Sequence, residues 1–134
     1  ISDDAESNST FNSTVTATTF MAGIASSGQP TVAFLFATLA GVSKVGSVVH
    51  SGTTNVDCGF SGGARFVMVK RTDSAGDWYY WDTMRGIAAG NDPYLRFNQG
   101  AGEVTNTDYI DPLASGFTLT SSFTAGTYIY LAFA

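Results

Sequence analysis

Three observations predict an all-β fold, a sandwich or barrel of short antiparallel strands. Apolar, β-branched and aromatic runs recur at short, regular spacing with turn residues between them. No window of 11 residues or more holds a glycine-free apolar stripe of helical period, so no long helix is predicted. Residues 65–86 read as a hairpin, two runs rich in β-branched and aromatic residues around the polar loop Thr72–Asp77, with Gly76 near its end. Side chains alternate along a strand. Val67 and Val69 therefore share one face, with Phe66, Met68 and Lys70 on the other. Trp78 and Tyr80 likewise oppose Tyr79 and Trp81. Aromatic residues on both faces predict that one face enters a core and the other lies under a loop or meets a partner.

Taken in order, residues 1–14 are polar, carry Asp3, Asp4 and Glu6, and read as a mobile or partner-bound N-terminal arm. Residues 15–134 read as one β-sandwich domain. Strands are expected over 14–21, 31–38, 44–50, 54–58, 65–71, 78–83, 94–98, 117–121 and 127–133. The breakers between them are clusters such as Ser26–Pro30, His50–Gly52, Ser61–Gly63, Ala89–Pro93 and Asn98–Gly102. A weak internal repeat appears at an offset of 97, which sets Phe20 on Phe117, Val32 on Ile129, Phe36 on Phe133 and Ala37 on Ala134. On that reading residues 15–37 are a partial repeat of 112–134.

Composition narrows the function classes. Only 13 % of residues are charged, about half the usual share of roughly 25 %. The surface must then be built from Ser, Thr, Asn and Gly, which suits an extracellular or virion β-protein. With a net charge of -5 and six basic residues, phosphate binding has no basic cluster to rest on, so no nucleic-acid partner is expected. The pair Lys70-Arg71 reads as a solvated strand end. No apolar run approaches the roughly 20 residues of a membrane-spanning helix, and no membrane insertion is expected. The chain opens on Ile1 with no signal-peptide pattern, as a processed product or a piece of a longer protein would. Cys58 is the single cysteine, so no intrachain disulfide forms, and its period-two neighbours Val56 and Phe60 predict a small buried hydrophobe.

Candidate sites follow from residue chemistry. Asp82 and Arg85, with Trp78 and Trp81, read as a structural anchor. A guanidinium offers five donors in a fixed fork and can satisfy a turn that has lost its ladder bonds. Breaking such a pair where it is buried costs about 3–5 kcal/mol. Asp92, Glu103, Asp108 and Asp111 could supply calcium ligands, but no regular ligand ladder is present, and Asp92-Pro93 and Asp111-Pro112 read as turn initiators. No metal and no cofactor is expected. Tyr94 and Tyr109 lie in the loop-rich stretch and, with Asp92 and Asp108, form a candidate sugar contact, because flat rings stack on apolar sugar faces. His50 is the only histidine and sits in a turn, Cys58 shows no catalytic spacing to it, and no enzymatic role is expected.

One resemblance spans residues 31–134. Its motifs are Gly41–Ser47, Val56–Phe60, Ala64–Asp73, Trp78–Gly86, Gly90–Pro93, Tyr109–Pro112 and Gly116–Thr118. Together they resemble the β-rich repeat domain of phage virion proteins, chiefly tail fibres and related structural proteins of marine phages and prophages. In those proteins the unit often follows a jelly-roll domain similar to the concanavalin A-like lectins. The segment Val48–Gly52 departs from the family's usual turn. The resemblance implies a virion or extracellular location and a role in assembly or host attachment, with no catalytic residues. Combined with the strand pattern, it sets the expectation of an antiparallel β-sandwich of jelly-roll type. Such a domain would form homo-oligomers through its arm or edge strands, or join other virion proteins, with a host-surface glycan as a further partner. The competing expectation is a monomeric carbohydrate-binding module. Deleting residues 1–14 should abolish assembly on the first and spare glycan binding on the second.

Overall fold

The computed structural model describes residues 34–134. The arm 1–14, the strand expected over 14–21 and most of the proposed partial repeat lie outside the described residues. From Phe36 onward the chain forms a β-sandwich of two antiparallel sheets. The strands are β1 (Ser43–His50), β2 (Thr54–Asp57), β3 (Phe66–Arg71), β4 (Trp78–Asp82), β5 (Leu95–Arg96), β6 (Ile110–Leu113), β7 (Gly116–Leu119) and β8 (Gly126–Phe133). One sheet has the order β1-β8-β3-β4-β5, the other β2-β7-β6. The pairing of β1 with β8 encloses that of β2 with β7, a nested wrap, while β3 and β4 form a hairpin within one sheet.

The hairpin forms as its alternation predicts, with loop Thr72–Asp77 between the strands. Register places Val67 opposite Trp81 and opposite Ala132 of β8, and all three are fully buried. Val69, Tyr128 and Tyr130 continue this inner face. Ile110, Phe117, Leu119 and Val56 of the smaller sheet meet it, and Cys58, Phe60 and Phe123 close the ends from loops. Full burial of each such side chain contributes about 1.5–3 kcal/mol.

Three expectations change. Asp111-Pro112 reads as a turn in the sequence, but it lies in β6, an edge strand, where a proline can forgo its ladder donor. The strand expected over 94–98 shrinks to Leu95–Arg96, with Tyr94 bridging Val104. Residues 34–38 of the strand expected over 31–38 are not in a strand. Phe36 instead sets its ring edge-on against Phe133, at 6.2 Å.

Candidate functional site

The residues read as a sugar contact do come together. Tyr94 and Val104 exchange backbone hydrogen bonds at 3.0 and 3.1 Å, and the Asp92 N–H donates to the Thr107 carbonyl at 2.7 Å. These links bring the Tyr94 and Tyr109 rings into a stack with centroids 5.6 Å apart. The stack faces inward, against Tyr79, Trp81 and Phe123. Tyr94 is only 6 % exposed, so the expected exposure of this ring is corrected. Asp92 is 0 % exposed. Its two carboxylate oxygens accept the backbone N–H groups of Ala88 (2.9 Å) and Ile110 (3.3 Å), tying the preceding loop to β6. Asp92 is a buried clamp, and the chain at Asp92-Pro93 forms no turn, which corrects the turn-initiator reading.

Burial pushes the Asp92 carboxyl up to about 6 against the two N–H bonds, and the charges of Asp108 and Asp111 add to the rise. One oxygen of Asp108 and one of Asp111 lack a hydrogen-bond partner. Among the described residues no three His, Cys, Asp or Glu side chains are arranged to hold a metal ion. As they stand, Asp92 and Tyr94 can touch no surface sugar.

The Asp82–Arg85 anchor forms at the end of β4. One Asp82 oxygen accepts the N–H groups of Met84 (3.0 Å) and Arg85 (2.9 Å), and the other pairs with the Arg85 guanidinium. That guanidinium also lies 5.3 Å from the Tyr80 ring centre and 3.6 Å from Glu103. The pair is part-exposed, so the buried-pair penalty does not apply, and surface pairs of this kind contribute about 1 kcal/mol or less. Trp81 lies in the core, and the Trp78 N–H donates to the Asn98 side chain at 3.0 Å. Lys70, expected at a solvated strand end, is buried with its ammonium on the Gly76 carbonyl at 2.7 Å.

His50 and Cys58 are both held structurally. The Phe123 carbonyl can only accept, so His50 Nε2 carries the hydrogen that bonds it at 3.1 Å, and Nδ1 shares a hydrogen bond with the Thr54 hydroxyl at 3.0 Å. Cys58 is buried, and burial pushes its thiol up to about 11, far from a reactive thiolate.

The outer face of the five-stranded sheet is aromatic. A row runs Phe36, Phe133, Phe66, Tyr80, Phe97, with the last two ring centres 4.3 Å apart. At one end Phe97 is 48 % exposed, and Met84 is exposed in the turn that follows β4. At the other end of the sheet lies the edge strand β1, with Val49 73 % exposed and Ile129 of β8 beside it 43 % exposed.

A family model described as a domain of unknown function, DUF7483, matches residues 2–134. The chain belongs to that family. No curated protein matches it, and no solved structure does. In this DUF7483 domain the exposed large apolar side chains include those of Phe34–Val42 as well as Val49, Met84 and Phe97, none of which was singled out as a site from sequence. The signal was present in the aromatic residues on both faces of β4: alternation sets Trp78 and Tyr80 opposite Tyr79 and Trp81, and the burial of Trp81 shows which pair faces outward. The Asp77 hub was also missed, because its partners Arg96, Asn98 and Gln99 lie about twenty positions away.

Proposed function

We propose that this domain is a structural unit of a phage virion appendage of tail-fibre type, located on the virion or outside the cell. It acts in assembly or host attachment by self-association through its arm or its sheet edges. One observation carries this reading: an eight-residue edge strand, β1, ends in a stretch that no other strand pairs among the described residues, flanked by the exposed Val49 and Ile129. Uncovered strand edges are templates for pairing with another chain. The low charge and the motif resemblance to virion repeat domains support the same reading, as does the structural engagement of His50 and Cys58. Light scattering at several concentrations tests it. A mass above 14.0 kDa that rises with concentration is expected, and a 14.0 kDa species throughout would overturn it. Removing residues 1–14 then separates association through the arm from association through an edge.

The second reading, a monomeric carbohydrate-binding module, is favoured by the exposed Phe97 packed on Tyr80 at a ring tilt of 31°, beside Arg85. These rings would replace the inward-facing Tyr94 and Tyr109. Binding on a glycan array by a monomer, lost on Phe97→Ala, would support this reading against the first.

A further inference from the structure

We propose that two copies of this chain pair β1 to β1, antiparallel, about a twofold axis at Val48. The inference rests on the self-association reading and names its contact.

The ladder between β1 and β8 fixes which backbone groups of β1 point outward. Val45 donates its N–H to the Thr38 hydroxyl at 3.2 Å, and its carbonyl accepts from the same hydroxyl at 3.4 Å. Ser43 exchanges backbone hydrogen bonds with Leu39, both at 2.9 Å. Backbone groups of alternate residues point to the same side of an antiparallel strand. Ser43, Val45, Ser47 and Val49 therefore face away from β8. The loop Ala37–Val42 covers the first two. Among the described residues nothing pairs with the outward groups of Ser47 and Val49.

The open stretch is short and closed at both ends. Upstream stands the Thr38 loop. Downstream the chain leaves the sheet at Ser51–Thr53, where Gly52 takes a φ of 77°, and enters β2 in the other sheet. A partner strand must make hydrogen bonds over three residues and then turn away before it meets the Thr38 loop. β1 of a second copy meets both conditions. With Val48 opposite Val48 of the second copy, Ser47 faces Val49 of that copy and Val49 faces its Ser47. Each of those two pairs exchanges its N–H and C=O bonds. Val45 then lies opposite Ser51 of the second copy, the point at which that chain departs.

Side chains agree with this register. Gly46–His50 contains no Lys, Arg, Asp or Glu, so no like charges are brought together. It also has no proline, outward lysine or bulge, the usual guards of a free edge. Lys44, whose side chain points inward, lies beyond the paired stretch. The two five-stranded sheets would join into one sheet of ten strands.

The test uses the full chain with Cys58→Ser to remove the buried thiol. Val48→Cys is expected to cross-link to its own mate on mild oxidation. Facing residues at a non-hydrogen-bonded antiparallel site lie about 4.5 Å apart between Cα atoms, within disulfide reach. Val49→Cys, whose opposite residue is Ser47, is expected not to cross-link. Without cysteine substitutions, Ser47→Pro and Val49→Lys are expected to be folded monomers where the wild type is mostly dimer, with the melting temperature that the wild type shows when diluted until it dissociates. An edge position tolerates both changes in the folded monomer. If the wild type associates but Val48→Cys does not cross-link and Val49→Lys still associates, the β1 pairing is overturned and self-association stands. If the wild type stays at 14.0 kDa, both are overturned.

Discussion

Asp92 is a carboxyl group held out of water by the pairing of the loop around it, with two backbone N–H groups as its hydrogen-bond donors. Burial raises it from 3.8 to about 6, and the sign of its effect on stability follows. Below pH 3.8 both folded and unfolded chains hold the proton, and the full contribution is present. As pH climbs through the interval to 6 the unfolded chain releases its proton first, so stability is lost. The loss is about 3 kcal/mol, at roughly 1.4 kcal/mol per pKa unit. For Asp77, burial alone would raise the carboxyl, but the Asn98 and Arg96 hydrogen bonds outweigh it and hold it low. Its stabilisation is present above 3.8 and fades only below that. The melting temperature should therefore fall from about pH 4 to about 6 and level off above that, and Asp92→Asn should flatten that slope. Differential scanning calorimetry across the window checks it; an equal slope in both proteins would remove Asp92 as the cause. No local feature of Asp92-Pro93 announces this clamp. It depends on Ile110, eighteen positions away, and sequence proximity favours the turn reading.

At the scale of the strand, β7 shows what a missing side chain permits. Gly116 lies opposite Asp57, and a Cβ built there would sit 2.1 Å from the Val56 carbonyl oxygen and 3.0 Å from the Cys58 nitrogen. Those atoms are backbone and cannot rotate aside. Gly116→Ala should separate β2 from β7 and cost more than the usual overpacking penalty of about 1–3 kcal/mol. Gly62→Ala, with nothing near its Cβ, is the control and should shift stability by about 0.5 kcal/mol or less. Urea denaturation compares them; a Gly116→Ala chain as stable as the control would contradict the β2–β7 contact. The strands legible in the sequence are those whose two faces differ in chemistry. β3 and β4 carry period two so plainly that the faces and the loop follow from it, while aromatic residues on both faces of β4 left the choice of core face to the structure. β6 hid behind Pro112, and β7 reads as apolar without showing that Gly116 permits its approach to β2. The sugar-contact residues were legible as neighbours but not as inward-facing. Which way an aromatic loop residue turns is decided by Phe123 and Tyr79, from distant parts of the chain.

For the molecule as a whole, net charge and the position of the open edge set how copies meet. Each copy carries a charge of -5 at pH 7, so approaching copies repel, and the repulsion is screened as the Debye length shrinks to about 8 Å near 0.15 M salt. The open half of β1 places no charged residue at the contact, so association through it has no attraction that salt could weaken. Raising salt at pH 7 should strengthen association, and so should lowering the pH toward the sequence pI of about 4.4. An arm bearing Asp3, Asp4 and Glu6 would act differently. It would bind through ion pairs with the few basic side chains, and salt would loosen it. Sedimentation velocity from about 0.02 to about 0.5 M salt, a range over which the Debye length falls below 10 Å, separates the two. Association that tightens with salt belongs to the edge, whereas association that dissolves with it moves the contact to the arm and leaves β1 unpaired.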